Sequence, residues 1–189
     1  IIPQSSIEQK RDTTSIYNQK AFSDVKIKGK AYIVYDVLDQ KIIAEKNANT
    51  VLPIASITKV MTLVTARMHH DRNKLVTITS KSLDGKGYDL GLKNGQVWKL
   101  DELLKYTLVL SSNDGSQAIA DTLGGRATFV SQMNKDAEIL GLTLHFTHPS
   151  GLDEGNKIGG EGSALSVAKL LVVARKHFPE ILDATTKTR

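Results

Sequence analysis

The sequence predicts an α+β fold in which one β-hairpin precedes a largely helical region. Two runs of strand-forming residues, at 31–37 and 41–45, flank a short break at Asp39-Gln40 and favour a hairpin. Apolar residues at helical spacing then recur from residue 53 to residue 175, between glycine-containing and polar breaks. Because a two-stranded hairpin is marginally stable alone, we expect it to need further strands or a covering helix.

The composition is that of a globular domain. The chain has 189 residues, of which 40% are hydrophobic, enough for one domain with a sizeable core. No apolar run approaches the roughly 18 residues needed to span a bilayer. There is no cysteine, which excludes disulfides and thiol chemistry. The first residue is Ile1 rather than methionine, which indicates a processed or trimmed product.

The charge is moderately positive, with a formal net value of +5. The basic residues are scattered, and only 5% of the residues are aromatic, so the sequence predicts no nucleic-acid binding. A positive charge also suits an acidic cell wall or a lipid surface, and it allows peripheral contact with either.

The chain divides into a polar arm, residues 1–28, and a folded region, residues 29–189. Within the folded region we expect a strand at 75–79 and a glycine-rich loop at 80–95, where Tyr88 could border a groove. A helix should begin with Asp101 as its N-cap, and others should cover 114–123 and 127–140. Ser163 should cap a helix over 164–175 that is buried on several sides.

The segment at 53–69 contains the helix and the residues on which the functional prediction depends. Its apolar residues share one helical face and are Ile57, Val60, Met61, Val64 and Met68. Ser56 lies where that face begins and Lys59 follows one turn later, so hydroxyl and amine can share one side. A helix N-terminus also favours an oxyanion, and together these features are typical of a serine activated by a lysine. The alternative is an N-cap serine beside a solvated lysine.

A second motif, Ser111-Ser112-Asn113, lies 55 residues beyond Ser56, in a polar break between two apolar helices. Such a break can present one hydroxyl and one amide to a pocket. It can equally be the end of one helix followed by the N-cap of the next.

The two motifs in this order resemble those of the penicillin-recognising serine enzymes, the D-Ala-D-Ala peptidases and serine β-lactamases. The segments 103–121, 129–142 and 146–153 are similar to the low-molecular-mass penicillin-binding proteins, the D-alanyl-D-alanine carboxypeptidase/endopeptidase family. The resemblance implies a β-lactamase/DD-peptidase-like fold. It also implies an extracytoplasmic location, in the periplasm or on the outer face of the bacterial cell membrane.

The resemblance implies a role for each motif residue. Ser56 is expected to be the acylated nucleophile and Lys59 its general base, with a pKa depressed by a confined cationic site. Ser111 would relay a proton to the leaving amine, and Asn113 would orient Lys59 and bind the substrate backbone. The implied reaction cleaves the D-Ala-D-Ala bond of a peptidoglycan stem peptide without metal or cofactor, and β-lactams would acylate the same serine.

The sequence departs from the family at the third motif, K-T-G on a sheet strand. The near match Lys187-Thr188-Arg189 is rejected because arginine stands where glycine must let the substrate backbone approach. In the family, later strands complete one sheet with the hairpin and bind the substrate carboxylate. We therefore interpret residues 29–189 as a partial domain truncated before K-T-G, and expect this chain alone to react poorly with β-lactams.

Two alternative functions stay open. A serine β-lactamase of the best-known class would add a deacylating glutamate, but Asp153 and Glu154 are interpreted as solvated loop charges. A catalytically silent wall-binding module is the other alternative. The pair His145 and His148 lacks a third metal ligand, so a turn and surface role is expected for both.

Overall fold

The computed structural model describes residues 26–83 and 91–186. It confirms the predicted α+β class, with helices and small antiparallel sheets in one chain. Most of the predicted arm, the suspected groove residue Tyr88 and the rejected near match at 187–189 lie outside the described residues.

The helices form the larger part of the secondary structure. They are α1 (Thr58–His69), α2 (Leu100–Leu110), α3 (Asn113–Thr122), α4 (Arg126–Ile139), α5 (Ala164–His177) and α6 (Pro179–Leu182). The strands are β1 (Tyr32–Asp36), β2 (Lys41–Lys46), β3 (Leu52–Pro53), β4 (Leu75–Thr77), β5 (Val97–Lys99), β6 (Leu144–Phe146) and β7 (Gly160–Gly162). Among the described residues, no helix combines the length and the apolar character that crossing a membrane requires.

The predicted hairpin is confirmed: β1 and β2 pair antiparallel, with Tyr32 opposite Lys46 and Asp36 opposite Lys41. The predicted strand near residue 75 is confirmed as the shorter β4, which pairs with β5, a strand the sequence did not predict. A third sheet, in the order β3-β7-β6, was also not predicted. Its central strand reads Gly-Glu-Gly and lacks the β-branched and aromatic residues by which strands are recognised.

The helix α1 is the centre of the core. It contacts α2, α3, α4 and α5, and it is therefore buried on more than the single face that was predicted. Its buried residues are Thr58, Lys59, Met61, Thr62, Leu63, Val64, Thr65 and Ala66. Ile57, expected on the apolar face, lies before the helix and is 43% exposed, so that part of the prediction was wrong.

Two further helix predictions need correction. The N-cap of α2 is Lys99, and Asp101 lies in the first turn, where its carboxylate contacts Arg67 at 2.8 Å and Arg72 at 3.1 Å. Burial raises the pKa of Asp101, although the two guanidinium groups act in the opposite direction. In α5 the Ser163 cap is confirmed, but the helix is not buried on several sides, since Leu171 is 42% exposed.

Candidate active site

Ser56 lies in a single 3-10 turn, Ala55–Ile57, that leads directly into α1. The preceding residue, Ala55, has a φ of 44°, in the left-handed region that L-residues seldom adopt. The turn is closed by a hydrogen bond from the Ile57 N–H to the Ile54 carbonyl at 3.0 Å. Ser56 is exposed, whereas Thr58 and Lys59, which follow, are buried. The serine therefore stands at the surface end of the most buried helix.

Two glycines pack against this turn so closely that no side chain fits. A Cβ on Gly151 would lie 2.0 Å from the Ala55 carbonyl oxygen, and the Gly151 φ is 79°. A Cβ on Gly160 would lie 2.1 Å from the Thr58 hydroxyl oxygen. The Gly160 carbonyl also accepts from the Ile54 N–H at 2.9 Å. The turn that carries Ser56 is therefore held by the backbone of β7 and of the segment at 148–151.

Lys59 is buried, with only 2% of the residue exposed, and its amine meets three oxygens. The Nζ lies 3.0 Å from Ser56 Oγ, 2.9 Å from Asn113 Oδ1 and 3.0 Å from the Ser150 carbonyl oxygen. Asn113 is the first residue of α3, which contacts α1. The structure thus brings together Ser56, Lys59 and Asn113, and adds Ser150.

This arrangement fixes the direction of the amine. Two of the three oxygens belong to carbonyl groups, which accept hydrogen bonds and never donate them. A neutral Lys59 therefore gives its two N–H bonds to Asn113 and Ser150, and its lone pair points at the Ser56 hydroxyl. Burial lowers the pKa of Lys59 to about 8. The pKa of Lys59 is shifted in the expected direction, but the cause is loss of solvation and not the cationic surroundings that were expected.

Ser111 is less tightly placed than the other motif residues. It ends α2 with a φ of 55°, it is exposed, and Lys59 makes no hydrogen bond to it in the part of the chain that the structure describes. The next residue, Ser112, caps α3 by accepting from the Gly115 N–H at 3.0 Å. The motif is therefore a helix end followed by an N-cap, as one interpretation predicted, and of the hydroxyl and amide in the other interpretation only the Asn113 amide contacts Lys59.

The sequence predicted a turn at His148, but not that residues 148–151 take part in the site. His148, expected at the surface, is only 4% exposed, so that prediction was wrong. Its Nδ1 lies 2.8 Å from Ser150 Oγ. The Pro149 carbonyl accepts a hydrogen bond from the hydroxyl of Thr62 in α1. The only advance signal was the family resemblance of residues 146–153, since a backbone carbonyl leaves no mark on the sequence.

The two loop carboxylates, expected to be solvated charges, both have partners within the protein. Asp153 is exposed, but its Oδ1 accepts from the Gly159 N–H at 2.8 Å. Glu154 is half-buried and forms an ion pair with Arg126, so the description as a solvated charge was wrong for it. Across residues 26–83 and 91–186, no three histidine or acidic side chains are grouped to hold a metal ion.

The fold and the cluster of serine, lysine and asparagine together define the class of penicillin-binding proteins, and solved structures agree. The structure of D-alanyl-D-alanine carboxypeptidase from Mycobacterium tuberculosis matches with a TM-score of 0.77 at 29% identity, over 84% of this chain and 60% of that one. Penicillin-Binding Protein D2 from Listeria monocytogenes, in its cefotaxime-bound form, matches with a TM-score of 0.73 at 27% identity, over 87% of this chain and 68% of that one.

Sequence comparisons name the family. The family described as D-alanyl-D-alanine carboxypeptidase matches residues 18–189, and the chain belongs to it. D-alanyl-D-alanine carboxypeptidase DacB2 from Mycobacterium tuberculosis is 34% identical over 143 residues, which are 75% of this chain and 47% of that protein. The D-alanyl-D-alanine endopeptidase of Escherichia coli is 34% identical over 164 residues, 84% of this chain and 50% of that protein. The chain spans about half the length of these curated relatives. The resemblance and the DD-peptidase-like fold are confirmed.

Proposed function

We propose that the protein is a serine-type D-Ala-D-Ala peptidase that acts on peptidoglycan stem peptides through an acyl-enzyme on Ser56. The observation that carries the proposal is the 3.0 Å contact between Ser56 Oγ and Lys59 Nζ. The same Nζ is hydrogen-bonded to Asn113 Oδ1 and to the Ser150 carbonyl oxygen. A serine next to a desolvated amine is an activated nucleophile. Relatives named carboxypeptidase and endopeptidase support the same chemistry.

The proposed reaction has two stages. The neutral Lys59 amine takes the Ser56 proton while Ser56 Oγ bonds to the carbonyl carbon of the penultimate D-Ala. The Ser56 N–H, at the start of a helical segment, would donate to the developing oxyanion. The C–N bond then breaks, and the leaving amine of the terminal D-Ala receives the proton from Lys59 through the Ser111 hydroxyl. Water hydrolyses the ester in the second stage and restores Ser56.

We extend the proposal to β-lactams, which would acylate Ser56 by opening the lactam ring. The support is that Penicillin-Binding Protein D2, a structural relative, is described in cefotaxime-bound and ampicillin-bound forms. The β-lactamase alternative gains no support from Glu154, whose carboxylate is paired with Arg126. The silent wall-binding alternative is disfavoured because the side chains of Ser56, Lys59 and Asn113 meet within hydrogen-bonding distance.

The substrate sets the location that we propose. Peptidoglycan lies outside the cytoplasmic membrane, so the protein would work in the periplasm or on the outer face of the membrane. The net charge of +5 would favour peripheral contact with an anionic wall or lipid surface.

The experiment is acylation of the full-length protein by a penicillin, followed by intact-mass measurement and peptide mapping, alongside release of D-Ala from a peptide ending in D-Ala-D-Ala. The wild-type protein should carry one penicilloyl group on Ser56, and Ser56→Ala should carry none and release no D-Ala. Ser131→Ala, which removes an exposed serine of α4, is the matched control and should react like wild type. Stoichiometric labelling of Ser56→Ala would overturn the assignment.

A further inference from the structure

A buried histidine, His148, is connected to Lys59 through Ser150. His148 is 4% exposed and stands in the segment that connects β6 to β7. Its backbone N–H donates to the Gly159 carbonyl at 3.1 Å, so the start of this segment is anchored. Neither the expected surface role nor the mechanism above uses the imidazole ring. Burying a polar ring costs free energy unless its nitrogens are bonded, so its partners indicate what it does.

The hydrogen bonds assign the tautomer of the ring. The Ser150 N–H lies 3.2 Å from His148 Nδ1, and an N–H only donates, so Nδ1 acts as an acceptor. Ser150 Oγ lies 2.8 Å from the same nitrogen, and because Nδ1 is an acceptor the hydroxyl donates to it, while Oγ accepts from the Leu152 N–H at 3.2 Å. An imidazole that accepts at Nδ1 carries its proton on Nε2.

The opposite edge of the ring faces a charged pair. His148 Nε2 lies 3.8 Å from Glu154 Oε1, and the other oxygen of Glu154 pairs with Arg126, the first residue of α4. The carboxylate thus lies on the side of the protonated nitrogen, while Arg126 compensates its charge. This placement favours the same tautomer as the hydrogen bonds at Nδ1.

Ser150 connects the ring to the catalytic amine. Its N–H and its hydroxyl contact His148, while its carbonyl oxygen accepts from Lys59 Nζ at 3.0 Å. One residue is therefore held by the histidine and holds the lysine. If the turn lost its contact with Nδ1, the carbonyl would lose its fixed direction, and one of the two acceptors that orient the Lys59 lone pair would move.

We propose that His148, in its Nε2-protonated neutral form, is a positioning residue that fixes the Ser150 carbonyl and through it aims Lys59 at Ser56. The inference rests on the proposed function, because it assigns His148 a part in the acylation of Ser56. His148 does not touch the reacting atoms. Its effect is one of alignment, and misplacement of a catalytic group by about 1 Å can cost on the order of 100-fold in rate.

The first test separates the acceptor from the shape of the ring. His148→Asn places an amide oxygen near the position of Nδ1, whereas His148→Phe keeps a ring and removes the acceptor. We expect the second-order rate constant of acylation by a penicillin to fall roughly 10- to 100-fold in His148→Phe and to stay within about threefold in His148→Asn. His145→Phe is the matched control, since His145 is exposed on β6, and it should react like wild type.

A purely structural role predicts a different order. Loss of packing would damage His148→Asn, which leaves a void, more than His148→Phe, which fills it. The proposal is overturned if His148→Phe reacts at the wild-type rate, or if His148→Asn is as slow as His148→Phe. Thermal unfolding of each variant shows whether the rates are measured on folded protein.

A second measurement does not depend on activity or on any variant being stable. Long-range ¹H–¹⁵N correlation spectra of the unligated full-length protein distinguish the two neutral tautomers and the charged ring. We expect His148 to have an unprotonated Nδ1 and a protonated Nε2 near neutral pH. A protonated Nδ1 would overturn the inference. If penicillin failed to label the wild-type protein, the proposed function would fail, while the tautomer would still decide the contact between His148 and Ser150.

Discussion

The two segments that carry the motifs, around Ser56 and around Ser111, have similar backbone conformations but differ in the burial of their functional side chains. Each starts with a non-glycine residue in the left-handed region, Ala55 with a φ of 44° and Ser111 with a φ of 55°, and each leads into a helix. In the first segment the functional group is buried, since Lys59 is 2% exposed and bonded to three oxygens. In the second segment Ser111 is exposed and makes no hydrogen bond to Lys59.

This difference in burial fits the different roles that we propose for Lys59 and Ser111. The Lys59 amine, our proposed general base, is aligned within the core before any substrate arrives. The hydroxyl of Ser111 lies at the surface, where a substrate can reach it. Hydrogen bonds of this kind are often long in the free enzyme and tighten only when the substrate binds. We therefore expect changes at Lys59 to alter the resting protein, and changes at Ser111 to matter only in the complex.

The largest effect is expected from Lys59→Met, which keeps the length of the side chain and removes the amine. Acylation of Ser56 by a penicillin should slow by roughly 10³- to 10⁴-fold, because the proposed general base is lost. Stopped-flow measurement with a fluorescent penicillin provides the rate. Lys135→Met, at an exposed position of α4, should leave it unchanged. A loss of less than tenfold in Lys59→Met would remove Lys59 from the role of base.

The next largest effect is expected from Gly151, which packs against the turn that carries Ser56. Gly151→Ala should lower the free energy of unfolding by about 3 kcal/mol, because it combines a positive φ with a clash against the Ala55 carbonyl. Gly155→Ala is the matched control, since Gly155 also has a positive φ, 59°, but open space around it. It should cost about 1 kcal/mol. Equal losses in urea unfolding would show that the close approach at Gly151 is unimportant.

A smaller effect is expected in the second segment. Ser111→Ala should slow acylation by about 100-fold through loss of the proton relay, and it should leave the free energy of unfolding unchanged. The neighbouring Ser112→Ala should do the reverse, since it removes the N-cap of α3 and about 1 kcal/mol of stability. Acylation kinetics and urea unfolding of both variants test this contrast. Unimpaired acylation of Ser111→Ala would contradict it.

The smallest effect follows from the pKa of Lys59, about 8. Only the neutral amine accepts a proton, so about a tenth of the protein is competent at pH 7, and acylation should rise about tenfold as the pH passes through 8 to a plateau. The same lowered pKa means that the unfolded chain binds more protons between pH 8 and 10.5, so this group adds stability as the pH rises in that window. An acylation rate that stays flat or falls between pH 6.5 and 9 would contradict the assignment.

The sequence predicted the parts of the site that depend on local spacing. Ser56 and Lys59 lie one turn apart, so their contact follows from helical geometry, and the family resemblance supplied Asn113 as their neighbour. The functional roles of these residues are still predictions. The predicted helical face began at Ser56, which was two residues too early, because Ser56 belongs to a separate 3-10 turn and α1 begins at Thr58.

What the sequence could not reveal comes from contacts between distant backbones. Ser150 binds Lys59 across 91 residues through a carbonyl oxygen, which every residue possesses. The strand β7 was missed because glycine normally weakens a strand. Here glycine is required, since a Cβ on Gly162 would lie 2.1 Å from the Leu144 Cδ2 atom. The lack of a third metal ligand suggested a turn and surface role for His148, but its hydrogen bonds allow it to be buried.

The oxygens around Lys59 have a further consequence for the approach of substrate. They belong to a hydroxyl and two carbonyl groups, so its hydrogen-bond partners among the described residues include no carboxylate. At neutral pH the amine is mostly protonated, and its charge is therefore not compensated by these partners. Its field attracts anions, and both a stem peptide and a penicillin carry a carboxylate. Salt screens such attraction over about 10 Å at 0.1 M, so capture of these molecules should weaken as ionic strength rises. The protonated amine would thus help to recruit the proposed substrate, and it would have to release its proton before it could accept one from Ser56.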